Sequence, residues 1–316
     1  MILCVSANPA IDRRLRMERL TVGAVNRAYS AEAAPGGKAA HVAMAARALG
    51  EESLWIGFLG GATGEECERG LTALGIQVNA VRISAATRVN LEIIDDAGVV
   101  TEALEPGGAV TAEEVSRMFR VCRELFARHR EKAVAVMSGS LAPGAPDDFY
   151  ATLIRAARAS GCRTLLDASG KPLLAALEAA PDLVKPNREE ATWATKLAVT
   201  GGASAVEAAR RMIERGARSA AISLGADGLV WLREKDAAPL FAPPLKVDAR
   251  SAVGSGDATI AGFAVAAMRG LDAEDTLRLA TACGAANCMA PLPGRIQASE
   301  VDRLALMAPI NNEDTS

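Results

Sequence analysis

Short, wholly apolar runs separated by stretches of helical periodicity set the pattern of this chain. ILCVS (2–6), SLWIGF (53–58), AVAVM (133–137), RTLLD (163–167), DLVKP (182–186), SAAIS (219–223) and GLVWL (228–232) read as strands. Their apolar residues are continuous rather than alternating, as in strands covered on both faces. Helices are expected between most of them. One runs from Lys38 to Leu49, with Gly50 as its C-cap. A second opens on a Thr63–Glu66 capping box and ends at Gly75. A third opens on a Thr111–Glu114 box and runs to about Arg128. Alternation of strand and helix predicts an α/β fold, a three-layer sandwich around a mostly parallel sheet.

Two segments break the rhythm. Residues 11–34 are polar and rich in charge. Residues 86–103 carry VNLEII and VVTEA around Asp95-Asp96-Ala97-Gly98, a hairpin signal. The segments are expected to form a small antiparallel β lid, with 1–10, 35–85 and 104–316 as the α/β core; the alternative is a pair of ordinary surface excursions. The tail NNEDTS is expected to fray.

Composition narrows the function. The 316 residues hold 35 Lys+Arg against 38 Asp+Glu, a net charge of -3, and only 3% are aromatic. That balance lacks the basic excess of a nucleic-acid binder, and few rings remain for base stacking. No apolar run approaches membrane-spanning length. The amino terminus reads as a buried first strand rather than a secretory signal. Six dispersed cysteines, none in a Cys-x-x-Cys pair, suit reduced thiols in the cytoplasm. With His41 and His129 the only histidines, a histidine-based metal site is nearly excluded. His129 lies in a charged helix end, which leaves His41 for chemistry.

Candidate chemistry concentrates where small residues lead into helices. Gly254-Ser255-Gly256-Asp257 precedes the apolar ATIAGFAVAAM. Free N–H groups at such a helix start can hold a phosphoryl group, and glycines let it approach closely. Asp257 could then take a proton from a substrate hydroxyl, or simply serve as the N-cap. Pro35-Gly36-Gly37-Lys38 is either a second anion site or a tight turn with a solvated lysine. No Walker A loop and no dinucleotide fingerprint is present. Asn187 and Glu190 fall on one helix face and could act on Mg²⁺ mainly through water, or cap the helix. The loop from Ser223 to Gly228 follows a strand, where ligands of open α/β sheets gather, or is a plain Asp-Gly turn.

Together these residues resemble the ribokinase-like, PfkB-type carbohydrate kinases, and within them the phosphofructokinase and tagatose-6-phosphate kinase branch. The resemblance runs in family order through Asn8-Pro9-Ala10-Ile11-Asp12, Pro35-Gly36-Gly37-Lys38, Gly60-Gly61-Ala62-Thr63-Gly64-Glu65, Thr87-Arg88-Val89-Asn90, Ser138-Gly139-Ser140-Leu141, Asp167-Ala168-Ser169-Gly170, Lys185-Pro186-Asn187, Ser223-Leu224-Gly225 and Ser251 to Asp257. It implies ATP-dependent phosphorylation of a sugar or sugar phosphate. By likeness, Asp257 is the general base, and the amides of Gly254, Ser255 and Gly256 form the anion hole. Asp12, Gly36, Gly37, Lys38, His41, Arg88, Ser138 and Gly139 face the sugar, with Arg88 and Lys38 on the phosphate it already carries. Lys185, Asn187, Ser223, Gly225, Gly228 and Asn287 face the nucleotide. Asn187 and Glu190 orient Mg²⁺. The lid strands are expected to pair two copies into a homodimer.

The chain departs from that pattern at two places. His41 stands where the branch usually has an asparagine that touches the sugar, and Leu104 where relatives often carry a polar residue. Either can shift the preferred sugar. Fructose 6-phosphate, fructose 1-phosphate and tagatose 6-phosphate are the candidate acceptors. The alternatives are the same transfer to an unphosphorylated sugar or nucleoside, and a sensor that binds without turnover.

Overall fold

Strand β1 (Ile2–Ser6) is buried along its whole length. Leu3 and Val5 enter one hydrophobic cluster, Ile2 and Cys4 the other. The period of a strand thus splits one apolar run between two cores, and two layers of helices follow from that. A computed structural model describes residues 1–311. The tail expected to fray lies, from residue 312 on, outside the described residues; Asn311 itself pairs with Phe241.

After β1 come β2 (Ala10–Met17), β3 (Ser30–Gly36), α1 (Lys38–Ala48), β4 (Ser53–Leu59), α2 (Gly61–Ala73), β5 (Gln77–Arg82), β6 (Arg88–Asp95), β7 (Val100–Leu104) and α3 (Ala112–His129). Then follow β8 (Val134–Ser138), α4 (Phe149–Ala159), β9 (Arg163–Asp167), α5 (Gly170–Leu177), β10 (Leu183–Val184), α6 (Arg188–Thr195), α7 (Gly202–Glu214) and β11 (Ala220–Ser223). The chain closes with β12 (Leu229–Leu232), β13 (Leu240–Ala242), α8 (Ser255–Arg269), α9 (Ala273–Met289) and α10 (Ala298–Met307).

The large sheet has the order β13-β12-β11-β10-β9-β8-β1-β4-β5. It is parallel from β5 to β11; β12 alone runs the other way, pairing antiparallel with both β11 and β13. Helices α3 to α7 cover one face; α1, α2, α8, α9 and α10 cover the other. The strand order turns back beside β1: β4 and β5 lie on one side, β8 and its successors on the other. Ligands of such sheets bind at that reversal, outside the carboxyl ends of the strands.

The smaller sheet, β3-β2-β6-β7, has antiparallel outer pairs as expected, whereas its central pair β2–β6 is parallel. Ala10 is in register with Gly36 and with Arg88, and Asn90 with Leu104. The hairpin signal forms its turn: Asp95 Oδ1 accepts from the N–H groups of Ala97 and Val99, and Gly98 adopts φ +79°. Inside the sheet Arg14 and Glu92 form a buried ion pair at 2.7 Å.

Local signals fare unevenly. Thr111 and Glu114 make the reciprocal capping box that opens α3. Thr63 does not cap α2, whose N-cap, Gly60, lies three residues earlier. The Thr63 hydroxyl instead donates to the Thr87 carbonyl at 2.6 Å, tying α2 to the approach of β6. Strand β5 carries no continuous apolar run and β13 only three apolar residues, so both escape the pattern. Helices α8 and α9 meet so closely at Gly262 that a Cβ there would lie 2.6 Å from Ala280 Cα. Gly262→Val is therefore predicted to cost about 2–3 kcal/mol through overpacking, read as a lowered denaturant midpoint; an unshifted midpoint would contradict that close approach.

Candidate active site

The carboxyl ends of the parallel strands open into one cleft of ≈ 1280 Å³. That exceeds the usual range for a single small ligand, about 300–1,000 Å³. Asp12, Arg88, Asn90 and Leu104 from the small sheet line one end; Asn187, Ser223, Gly225 and Gly228 line the other. Lys38, Ser138, Gly139, Asp167, Lys185 and the start of α8 lie along the same wall.

Helix α8 begins immediately after Gly254, which adopts φ +78°. A Cβ at Gly254 would press to 2.7 Å from the Pro293 ring, so glycine is required here twice over. The N–H of Ser255 turns back to the Ala252 carbonyl at 3.1 Å. The free amides at this helix start are those of Gly254, Gly256 and Asp257, among the described residues. This amends the expected trio, because Ser255 spends its N–H closing the turn. Asp257 is not the N-cap: it is the third helical residue, only 5% exposed.

Asp257 Oδ2 lies 2.7 Å from His41 Nδ1, and His41 Nε2 lies 2.9 Å from Asp12 Oδ2. Asp12 Oδ1 accepts from Asn90 Nδ2 at 2.8 Å, the residue directly across from it on β6. Burial alone would raise the Asp12 carboxyl; the His41 and Asn90 hydrogen bonds outweigh it and hold it below the usual range. Burial likewise opposes charge on His41, but hydrogen bonds to Asp12 and Asp257 push its pKa up to about 10.

A second charge cluster lies between the strand ends and α6. Asp167, at the end of β9, is buried with its carboxylate 2.7 Å from Lys38 Nζ and 3.0 Å from Lys185 Nζ. Burial would raise it, yet the two ammonium groups hold it at about 2. Lys38 also lies 3.5 Å from Glu190. Asp167, Glu190 and Asp257 together lift its pKa against the cost of burial. A Cβ at Gly256 would touch Lys185 Nζ at 3.2 Å, so this cation sits beside the free amides of α8.

Several expected contacts are redistributed. Lys38 and Arg88 do not share a partner: Lys38 faces Asp167 and Glu190, while Arg88 donates to the carbonyls of Glu105 and Asn8 at 2.8 and 3.1 Å. Gly36 does not line the cleft. Its missing Cβ makes room for the Asp12 carboxylate, which would otherwise lie 2.1 Å away. Asn287 is buried and does not line the cleft either. Its amide donates to Val253 O and Ser255 Oγ and accepts from Gly294 N, holding the turn before α8. Asn187 caps α6 in a reciprocal box with Glu190, which leaves Glu190 Oε1 turned towards Lys38. The sequence reading assigned no role to Asp167 or Asn90. An acidic residue ending a buried parallel strand, and an amide in register with Asp12, were the available signals.

A buried carboxylate beside free helix-start amides and two lysines, in a cleft long enough for two ligands, is the equipment of a phosphotransferase acting on an alcohol. Comparison with known proteins agrees. Residues 1–295 match the model of the pfkB family of carbohydrate kinases, and the chain belongs to that family. It is 36% identical to the 1-phosphofructokinase of Rhodobacter capsulatus, covering 89% of this chain and 88% of that one. It is 31% identical to the tagatose-6-phosphate kinase of Staphylococcus epidermidis, covering 96% and 97%. The solved structure of Escherichia coli phosphofructokinase-2 in complex with fructose-6-phosphate superposes with a TM-score of 0.87 at 26% identity, covering 97% and 98%. Among the described residues no helix is long and apolar enough to cross a membrane.

Because Asp167 is held low, its contribution to stability is complete above about pH 4 and is lost as pH falls towards about 2. Lys185→Met removes the buried partner and leaves only Lys38. The expected loss is about 3 kcal/mol in denaturant at pH 7, shrinking as the solution is acidified. A pH-independent difference would refute the ion-pair account.

Proposed function

We propose that the chain transfers the γ-phosphoryl group of ATP to a hydroxyl of a ketohexose phosphate: fructose 6-phosphate, fructose 1-phosphate or tagatose 6-phosphate. The observation that carries this reading is Asp257, buried, ion-paired through one oxygen, and without a hydrogen-bond partner on the other among the described residues. That free oxygen accepts the proton of the attacking hydroxyl. As the new P–O bond forms and the bond to the leaving ADP breaks, the amides of Gly254, Gly256 and Asp257 receive the growing negative charge. Lys38 and Lys185 lie alongside and neutralise it. Asp12 and Asn90 hold sugar hydroxyls. Arg88 and Ser138 take the phosphate already on the sugar; the Arg88 Nε and the Ser138 hydroxyl are buried and unpartnered among the described residues, which fits them for it. The loop from Ser223 to Gly228 receives the nucleotide.

The donor set fits Mg²⁺ held mainly by water and phosphate oxygens, with Glu190 Oε1 as the oxygen left free by the capping box. When bound, the ion neutralises the phosphate oxygens of ATP. No group of three or more His, Cys, Asp or Glu side chains that could cage a metal occurs among the described residues. The six free cysteines suit a cytoplasmic setting.

ADP release with a panel of phosphosugars tests the reading. Asp257→Asn is expected to lower turnover by about 10²–10⁴-fold, the usual worth of a general base. Arg88→Ala is expected to raise KM for the phosphosugar while leaving KM for ATP in place. Should no acceptor release more ADP from the wild type than from Asp257→Asn, the kinase reading fails. An Arg88→Ala variant with unchanged KM would favour an unphosphorylated acceptor.

We also propose that a second copy covers the small sheet. Val22, Val25, Tyr29, Val99 and Leu104 are exposed on this sheet and its connections. Sedimentation of the wild type should give a dimer, and Val22→Asp with Val25→Asp a monomer. A monomeric wild type at micromolar concentration sinks this proposal.

A further inference from the structure

His41 occupies the first turn of α1 and reaches two other elements at once: Asp12 on β2 and Asp257 on α8. Both ring nitrogens are therefore committed to carboxylate oxygens. A neutral imidazole owns one N–H; its second nitrogen would aim a lone pair at a carboxylate lone pair. Distances of 2.7 and 2.9 Å on both sides require two donors, hence an imidazolium, unless one carboxyl is itself protonated. Charged groups on the surrounding elements keep this balance. Glu102 on β7 is coupled electrostatically to the ring, while burial and the Glu92 and Asp12 charges push its own carboxyl up. Lys38, a turn earlier on α1, is engaged by Asp167 and Glu190, and Arg14 by Glu92. The side chain is buried, so water competes little for it. Its backbone is pinned as well: a Cβ at Gly294 would lie 2.9 Å from His41 Cα.

An asparagine, the residue that the family resemblance leads one to expect here, could donate to one carboxylate but would turn its carbonyl towards the other. The histidine makes one continuous strap where an asparagine would make one link. The ring lines the cleft, but both of its nitrogens are already committed to carboxylates.

We propose that His41 is a positioning residue, a buried cationic strap that couples the sugar-holding Asp12 to the general base Asp257. This rests on the kinase reading above. The strap fixes the Asp257 carboxylate by its Oδ2, which keeps Oδ1 turned towards the acceptor. It joins the two subsites mechanically: a hydroxyl drawing on Asp12 alters the hold on Asp257 through one rigid ring. The ring's positive charge also makes the sugar end one unit less negative, which eases entry of an anionic acceptor.

The experiment is an NMR titration of the folded wild-type protein with labelled histidine. Two ring signals are expected, and a His129→Asn variant assigns them. The His41 ring is expected to stay protonated beyond pH 8, and Asp12→Asn or Asp257→Asn to move its midpoint down by about 1–3 pH units. Addition of the phosphosugar should shift the His41 signal and leave His129 in place. A wild-type midpoint near 6.5, or one indifferent to both Asp substitutions, overturns the strap whatever the activity assay says. Kinetics supply a second readout. His41→Ala should lower kcat by about 10²-fold, the cost of a misplaced reacting group, and raise KM for the phosphosugar but not for ATP. Loss confined to KM, with kcat intact, would make His41 a sugar contact and overturn the positioning role. If no phosphosugar is turned over while the ring still titrates high and shifts with both Asp variants, the kinase reading fails and the strap geometry stands.

Discussion

Asp167 carries its charge almost wholly buried at the wall of the cleft, and two ammonium groups reaching it from different elements make that tolerable. Lys38 comes from the start of α1 and Lys185 from the end of β10. A lone carboxylate at that depth would cost several kcal/mol. The requirement that both lysines meet it therefore fixes where α1 begins against β9. Lys185 in turn lies beside Gly256, and Lys38 beside Glu190. The relative placement of α1, α6 and α8, and with it the cleft, follows from balancing this one buried charge.

The same logic organises the other end of the cleft. Asp12 and Asp257 approach each other because a cation can stand between them. Glycines then supply the close approaches that side chains would forbid: Gly36 against the Asp12 carboxylate, Gly254 against Pro293. The chain thus gathers charge where phosphate chemistry would use it and meets the cost with hydrogen bonds drawn from distant parts of the sequence.

Those long separations explain what was legible beforehand. The parallel sheet could be read from ILCVS, AVAVM and RTLLD because burial on both faces leaves a continuous apolar run. The anion-binding helix start could be read because it is local: glycine, serine, glycine, aspartate, then an apolar helix. Thr63 misled because a capping box is a short pattern, and its hydroxyl found a better acceptor in Thr87, 24 residues away. The family resemblance sets Lys38 and Arg88 on one phosphate, but the structure gives them different partners. Their separate partners depend on the ends of β9 and β7, which no local window contains. Asn287 belongs to the site only through the turn it braces. The two-sided commitment of His41 was invisible for the same reason: one carboxylate lies 29 positions before it and the other 216 after it.

The parallel pairing of β2 with β6 has a mechanical consequence. All four crossings between the small sheet and the large domain fall at one margin, where Ala10, Gly36, Arg88 and Leu104 lie in or near common register. The sheet is a cantilever, held along that margin and again where Arg14 donates to the Pro291 carbonyl, with its far tip roughly 25 Å away for an eight-residue strand. Asp12, Arg88 and Asn90 stand near the clamp, where deflection is smallest, while the Asp95–Gly98 turn rides at the tip, where it is greatest. Whatever docks on the tip can travel far without disturbing the groups at the root.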